Sequence, residues 1–484
     1  MHTASNLQYN ALSVNENIHP RRINWALLAV CSIGFGTYAA VVSVPDDVGP
    51  KNALFWSALY MTIALIVPVA LQIRSDLTTV LRIENMLMIA IVYWLLLDML
   101  QSAYPFIDVL PEHVQWAFIM VGAFAIAIWL GATGLGWPLP RIVSRSVSYT
   151  FNTATLHTAT VIAFSLGMAK FAIPSGFDPI LMIKGLGMER WGDTPWARGE
   201  FGGTDAFLDH MQYFGYILPS LCVLMAMRVG WRNWRVITGL MLSAIMVAFL
   251  TQSGGRRIIG VIVGVAIFTW VASTPRLKPR VILGVVMAAV LLLWFMQEML
   301  RYRTVGGLGA WWGGEEVEST YTYVHVDDNF LRLAQLIRFF PDVVEYVLYK
   351  PLLHALTLPI PRVFWPGKPT GPGFDLPLLL GGYKDTSLSV SIIGELYVSF
   401  GVLAVLGGGW IMGRLAGMWN KILQLPTGTG RPLLYGLGLM TLFTGVRSLQ
   451  ALVQMSYTVL VWIFIASLLS GSNSSAHKAE RLPQ

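Results

Sequence analysis

The strongest constraint on this chain is a series of apolar segments, each about twenty residues long, that recur along nearly its whole length. A helix needs roughly 20 apolar residues to cross the hydrocarbon core of a bilayer. Lipid offers no partner for backbone amides, so such segments are predicted to be helices and not strands. Hydrophobic residues make up 55% of the chain and charged residues 12%. The sequence therefore predicts an all-α, polytopic integral membrane protein and argues against a soluble enzyme.

Hydropathy places about twelve transmembrane helices in this chain. The predicted spans are residues 23–44, 53–73, 85–103, 115–136, 152–172, 208–228, 236–253, 257–273, 281–299, 388–411, 431–446 and 449–470. They predict a tail at 1–22, a nine-span region at 23–299 with an external loop at 173–207, and a large external loop at 300–387. A three-span region at 388–470 and a tail at 471–484 follow.

The distribution of positive charge predicts the orientation. The net charge is +7, but Lys and Arg come in twos and threes between apolar segments, and no basic arm of the kind that binds nucleic acid is present. Cytoplasmic loops of membrane proteins are enriched in Lys and Arg. With the N-terminus inside after Arg21 and Arg22, nearly every loop obeys this rule, so both termini are predicted to be cytoplasmic. Nucleic acid is excluded as a partner, and membrane lipids are expected.

The sequence contains no motif for metal or cofactor binding. Cys31 and Cys222 both lie inside apolar segments, which makes a disulfide framework or a zinc site improbable. The eight histidines show no metal-ligand spacing, and there is no Walker, HExxH or CxxC sequence. We expect no metal and no cofactor.

The large loop at 300–387 is predicted to contain its own structure. Asp327 and Asp328 are expected to cap an amphipathic helix that lies at the outer membrane interface. Its apolar positions are Phe330, Leu333, Ile337 and Phe340. Six prolines between positions 351 and 372 then forbid long helix and indicate a shaped loop. Loops longer than about fifteen residues in compact proteins are usually functional, so function is expected on the outer face.

Three arginines stand where the orientation rule does not place them. Arg256 and Arg257 follow a Gly-rich turn at 252–255, and Arg447 lies in the equally tight last outer turn. Charged side chains at a membrane boundary can simply snorkel to water. The alternative is an anionic headgroup, because a guanidinium binds phosphate oxygens in a bidentate manner.

The most specific string is the proline tract at 358–369, LPIPRVFWPGKP. Its prolines fix the backbone, Trp365 offers an aromatic surface for a sugar, and Arg362 and Lys368 supply positive charge. Trp and basic residues are also common in interfacial anchors. Composition leaves both interpretations open.

Glu395 is the notable ionisable residue at the start of the tenth span, within the string GELYVSFG at 394–401. Such residues are costly in lipid and are functional candidates by default. It is interpreted either as a general base or as the partner of an outer arginine in a structural salt bridge. His325, beside Asp327 and Asp328, is a weaker candidate base. Asp375 and the pair at 46–47 are weaker still.

The proline tract followed by Gly-Glu-x-Tyr-x-x-Phe-Gly, together with the arginine-bearing turn at 252–257, resembles the O-antigen (Wzy-type) repeat-unit polymerases. The resemblance extends to the organisation of the whole chain, but specific strings match only at about 252–257 and 359–401. It implies a GT-C-like, metal-independent inverting glycosyltransferase of the bacterial inner membrane. The doubled arginine at 256–257 departs from the pattern and leaves open which of the two binds.

In this family the growing chain leaves undecaprenyl diphosphate and is transferred to a second lipid-linked oligosaccharide, so both lipids are expected partners, with a flippase and a chain-length regulator. The product is expected to be O-antigen, capsule or exopolysaccharide. The resemblance implies Glu395 as the base. The expected substrate-binding residues are Arg256, Arg257, Arg362, Lys368, Arg447, Arg303, His325, Trp365 and Tyr397.

Two other functions stay open at this point. An O-antigen ligase has similar architecture and uses the same lipid-diphosphate donor with a different acceptor. A lipid-linked oligosaccharide flippase or polysaccharide exporter belongs to another class and is expected to place charges near the midplane of several spans. The candidate charges gather instead at the predicted outer ends.

Overall fold

The computed structural model describes residues 24–101, 103, 105–133, 137–188, 194–196, 205–252, 255–274, 278–302, 323–382, 388–425 and 428–479. Over these residues the chain is helical and contains no β-strand. The helices are α1 (Trp25–Val42), α2 (Phe55–Ser75), α3 (Ile83–Ile91), α4 (Pro111–Thr133), α5 (Arg141–Ser148), α6 (Thr153–Ala172), α7 (Pro179–Leu186), α8 (Asp205–Gly215), α9 (Leu218–Val229), α10 (Trp234–Thr251), α11 (Arg256–Ser273), α12 (Pro279–Tyr302), α13 (Asn329–Phe339), α14 (Lys350–Thr357), α15 (Leu376–Leu379), α16 (Ser391–Asn420), α17 (Arg431–Gly445) and α18 (Leu449–Ala479).

The all-α membrane architecture predicted from hydropathy is confirmed. Nine helices in the described part of the chain are long and apolar enough to cross a membrane. The other three predicted spans are also helical. The first is α3, which continues into a π-turn at Val92–Leu96. The second is the Thr-rich α6, and the third is α17, which has only 15 residues. Asn24, Asn152 and Asn233 accept backbone N–H bonds at the starts of α1, α6 and α10.

Helices α4 and α16 form the most extensive contact in the bundle. Small residues allow the two backbones to approach, as is common between membrane helices. A Cβ atom at Gly413 would lie 2.1 Å from the carbonyl oxygen of Ile128, and one at Gly409 would lie 2.6 Å from that of Phe124. These glycines therefore set the distance between α4 and α16.

Helix α16 is broken near its start. Phe400 and Gly401 have non-helical backbone angles, and Gly401 has a φ of +63°. The hydroxyl of Tyr346 lies 2.8 Å from the place where a Cβ on Gly401 would be. The tenth predicted span thus consists of a short segment, 391–399, that carries Glu395, and a longer one that follows the break.

Helix α13 begins at the predicted position, and its apolar residues have the predicted spacing. Two other expectations about this helix are wrong. Neither aspartate caps it through a side chain, because Asp328 pairs with Arg332 and Asp327 turns toward Arg447. The helix also presents little surface to a membrane interface. It packs on α4 and α16, and even its polar residues Asn329 and Gln335 are buried.

The exposed apolar surface expected of an interfacial helix is found instead on α7, in the loop at 173–207. Ile180 and Ile183 on α7, and Phe177 just before it, are each at least 66% exposed. The other side of α7 is fixed by Trp196, whose ring lies against Gly185. The geometry of α7 suits contact with lipid headgroups.

Candidate functional site

The predicted arginines meet at one end of the bundle, which we call the Arg447 end. Arg256 and Arg257 begin α11, and Arg447 lies in the turn between α17 and α18. Helices α11 and α17 pack against each other, and Arg257 and Arg447 lie close enough for their charges to interact. The opposite end, with Arg82, Arg228 and Arg431, is called the Arg82 end.

Arg82, Arg228 and Arg431 at the Arg82 end have structural partners. Arg82 pairs with Glu84 at 2.6 Å. Arg431 donates to the carbonyl oxygens of Leu423 and Leu425, and Arg228 donates to Phe151 and Thr429. These contacts close helix ends and loops, so no ligand is needed to explain them.

Arg256 and Arg257 differ in their surroundings, which addresses the question of which one is available to bind. Arg256 donates to the backbone oxygens of His325 and Val326, the first at 2.7 Å, and so holds the loop. Arg257 has only a long 3.5 Å contact, with the side-chain oxygen of Gln454. No carboxylate in the described part of the chain lies within 4.0 Å of its guanidinium. Arg257 is the better placed of the two to bind an anion.

Arg447 lies between acidic and aromatic groups. Its Nε is 2.7 Å from a carboxylate oxygen of Asp327, and its guanidinium lies 5.9 Å from the centre of the Trp94 ring. The Trp94 indole in turn donates to the carbonyl of Phe443. An anion could approach Arg447 only beside this existing ion pair.

Asp98 is the central acidic residue of the site, and the sequence reasoning missed it. Its side chain is 2% exposed, and its two oxygens accept the backbone N–H groups of Val326 and Asp327 at 3.0 and 3.2 Å. The same carboxylate lies 3.3 Å from Nδ1 of His325. A lone acidic residue inside the apolar segment at 85–103 was the available signal.

His325 is oriented in the manner expected of a general base. Nδ1 of His325 lies 3.3 Å from a carboxylate oxygen of Asp98 and 3.5 Å from the hydroxyl of Tyr323. In the tautomer with the proton on Nδ1, Nε2 is the acceptor. The backbone of His325 is held on both sides by Gln297, which donates to its oxygen and accepts from its nitrogen. A base oriented by a buried carboxylate is a common catalytic arrangement.

Glu395 lies in the first segment of α16 and is partly buried. One of its oxygens accepts the backbone N–H of Leu449, the first residue of α18. No basic side chain in the described ranges lies within 4.0 Å of its carboxylate, so the structural salt bridge with an outer arginine is not formed. Arg447 is near enough to act on it electrostatically. Glu395 thus joins α16 to α18 and lies within electrostatic range of Arg447.

A group of tyrosines completes the site. Tyr213 and Tyr457 have ring centres 5.0 Å apart, and Tyr213 contacts Tyr216 at 5.3 Å. Both Tyr213 and Tyr216 lie within electrostatic range of Arg257. Aromatic side chains with polar ends suit contact with sugars and headgroups, but their spacing in the sequence gave no sign that they meet.

The remaining predicted residues lie elsewhere. The hydroxyl of Tyr397 donates to the carbonyl of Phe340 at 3.0 Å, which fixes the loop to α16. Lys368 donates to the backbone oxygens of Leu358 and Ile360 within the proline tract. Arg303 lies outside the described residues.

The proline tract follows α14 and forms an exposed surface. Phe364 is 80% exposed and Trp365 is 38% exposed. Arg362 and Lys368 lie near His354 on α14, and their charges together with its burial lower the pKa of His354, burial being the larger cause. Exposed aromatic rings beside basic groups suit an interfacial anchor as well as a sugar surface.

Comparison with known proteins identifies no relative. The chain matches no family model, no curated protein and no solved structure. Among the described residues, no group of three His, Cys, Asp or Glu side chains is arranged to hold a metal ion. The chemistry of the site must therefore be argued from its own residues.

Proposed function

We propose that this protein is a membrane glycosyltransferase that polymerises undecaprenyl-diphosphate-linked oligosaccharide repeat units on the outer face of the bacterial inner membrane. The observation that carries the proposal is Arg257, a guanidinium without a carboxylate partner in the described structure, beside Arg447. A diphosphate leaving group develops negative charge as its bond to the sugar breaks. Positioned arginines can stabilise that charge.

In the proposed reaction, a hydroxyl oxygen of the acceptor sugar attacks the anomeric carbon of the lipid-linked donor. The new glycosidic bond forms as the bond from that carbon to the diphosphate oxygen breaks, and the diphosphate leaves with the electron pair. The hydroxyl proton passes to a base. An inverting transfer needs only one such base.

His325 is our first candidate for that base, in place of Glu395, which the family resemblance implies. Asp98 orients His325 and can stabilise the imidazolium that forms. One oxygen of Glu395 is already engaged by the start of α18. Glu395 is the second candidate, and its other role is to hold α18 beside Arg447.

The proposal is tested by deletion of the gene, glycan profiling, and complementation with variants. Arg257→Gln and His325→Gln should each abolish the polymer ladder and leave a surface glycan with a single repeat unit. Arg338→Gln is the matched control, because Arg338 is a half-exposed arginine whose carboxylate partner Asp108 is 3.8 Å away. A normal ladder with Arg257→Gln would contradict the proposal.

Glu395→Gln separates the two candidate bases. Loss of the polymer with both His325→Gln and Glu395→Gln would give each a role. A normal ladder with Glu395→Gln alone would remove Glu395 from the mechanism. Both proteins should be quantified in the membrane, since Glu395 also contacts α18.

The same profile separates the alternatives. Loss of an O-antigen ligase leaves no attached repeat unit, whereas loss of a polymerase leaves one. Loss of a flippase or exporter leaves lipid-linked units inside the cell. Accessibility labelling must also place Arg257 and the proline tract outside the cytoplasm, because repeat units are polymerised there in this proposal. Labelling from the cytoplasm would reject it.

A further inference from the structure

A long cavity of about 500 Å³ lies between α3, α11, α12 and α17. Along α11 it runs from Arg257 to Val271, which corresponds to roughly 21 Å at 1.5 Å per residue. On α12 it runs from Val281 to Met296, a similar distance. The cavity therefore extends through about two thirds of the thickness of a hydrocarbon core of about 30 Å.

The lining of the cavity is polar at one end only. Arg257 is the single charged residue among the described residues that line it, and Tyr93, Trp94 and Thr444 lie near it at the Arg447 end. Below them the walls consist of aliphatic side chains, methionine, phenylalanine and glycine. This distribution matches a molecule with an anionic head and a long apolar tail.

The dimensions restrict what the tail can be. A volume of about 500 Å³ spread over that length gives a long and narrow groove, which suits an extended chain better than a helix of about 10–12 Å diameter. A single narrow channel also suits one chain better than the paired chains of a phospholipid. The occupant indicated is a lipid with one long hydrocarbon chain.

Access to the cavity is lateral. Helix α12 makes its main contacts with α11, and its outer face, with Leu283, Val290 and Trp294, is more than half exposed. Helices α3 and α12 both line the cavity without packing closely on each other in the described structure. A chain can enter from the bilayer between them.

We propose that this cavity binds the hydrocarbon chain of a polyprenyl phosphate or diphosphate, with the phosphate at Arg257. The identity of the chain rests on the proposed function, whereas the shape and polarity of the cavity do not. The hydrocarbon tail enters the cavity from the lipid bilayer and not from water, so burial of the tail gains no hydrophobic free energy. The cavity therefore selects a chain by how well the chain packs in it. It places the head of the lipid at Arg257, within electrostatic range of Arg447.

The test uses the full-length protein in vesicles of phosphatidylethanolamine and phosphatidylcholine, with a polyprenyl phosphate that carries a photoreactive diazirine in its chain. Phosphatidylglycerol or undecaprenyl phosphate is added as the competitor. Val285 lines the cavity about a quarter of the way from Val281 to Met296, and Leu283 lies on the exposed face of the same helix. The variant Val285→Trp should reduce labelling of α11 and α12 about tenfold, the scale of an overpacked site. Leu283→Trp is the matched control and should label like the parent.

Three outcomes would overturn the cavity proposal. The label could map to the outer face of α12 only, it could be unaffected by Val285→Trp, or phosphatidylglycerol could compete as well as undecaprenyl phosphate does. Competition by undecaprenyl phosphate alone, with labelled peptides from α11, supports it.

The cavity and the enzymatic function can fail separately. Absence of label in the cavity, with a normal polymer ladder for Val285→Trp, rejects the cavity and leaves the polymerase proposal standing. The opposite result is that the cavity is labelled, that Arg257→Gln removes the label, and that deletion of the gene leaves the surface glycan unchanged. This result supports the lipid site and rejects the polymerase.

Discussion

Asp98→Asn should separate the orienting role of this carboxylate from simple folding. Asp98 accepts two backbone N–H bonds, from Val326 and Asp327, and holds Nδ1 of His325. Hydrogen bonds to a charged group are worth about 1.5–3 kcal/mol each. An asparagine keeps one acceptor oxygen and turns an NH₂ group toward a donor, so about 2–3 kcal/mol of local stabilisation should be lost.

On the proposed function, the consequence for catalysis is larger than for overall stability. A loop destabilised by this amount opens tens of times more often, because each 1.4 kcal/mol is a factor of ten. General base catalysis accelerates a reaction by about 10²–10⁴-fold, and a base that has lost its orientation loses most of this acceleration. We therefore expect kcat to fall by about a hundredfold or more, with KM little changed. The assay is polymerisation of a lipid-linked oligosaccharide by the reconstituted protein.

The control for Asp98→Asn is Asp108→Asn at the same end of the bundle. Asp108 is exposed and lies 3.8 Å from Arg338, so its loss should cost about 0–1 kcal/mol and leave the rate unchanged. Hydrogen exchange should show faster exchange at residues 324–327 in Asp98→Asn only. A rate close to that of the parent, with that segment still protected, would refute the orienting role.

Three further predictions concern stability, each measured by thermal unfolding in detergent. Gly413→Ala should lower the free energy of unfolding by about 1–3 kcal/mol or more, because its Cβ would meet the backbone of α4. Gly407→Ala is the control and should be neutral or stabilising, because its Cβ would meet nothing within 4 Å. Gly401→Ala should cost about 1–3 kcal/mol from its positive φ alone; an unchanged melting temperature would contradict this. Burial lowers the pKa of His354 from 6.5, so the folded state should lose stability as the pH falls below that value, and His354→Gln should flatten this dependence.

The helices were predictable because hydropathy and length act locally. Each of the twelve predicted spans corresponds to a helix, and alternation of spans alone was enough to bring Arg256, Arg257 and Arg447 to one end. The different surroundings of Arg256 and Arg257 were not predictable, because they depend on which residue of the distant segment 323–327 lies against α11.

Other features could not be read from local sequence. The buried position of α13 depends on its packing against α4 and α16. These helices cover the face whose polar residues suggested that it would be exposed to water. The roles of Lys368 and Tyr397 as loop fasteners follow from contacts with carbonyl groups, which carry no sequence signature. Asp98, in contrast, was visible as the only charged residue of its apolar segment.

Arg257 differs from Arg82 and Arg431 in how the charge of its guanidinium is compensated. Taking a guanidinium out of water is costly unless an anion or several acceptors compensate it. At the Arg82 end, Arg82 and Arg431 are compensated by a carboxylate and by carbonyl oxygens within the chain. Arg257 has only one long contact with an amide oxygen, at the mouth of an apolar cavity. The missing compensation is what an anionic lipid head would supply, and the same residue would then couple capture of the lipid to departure of its diphosphate.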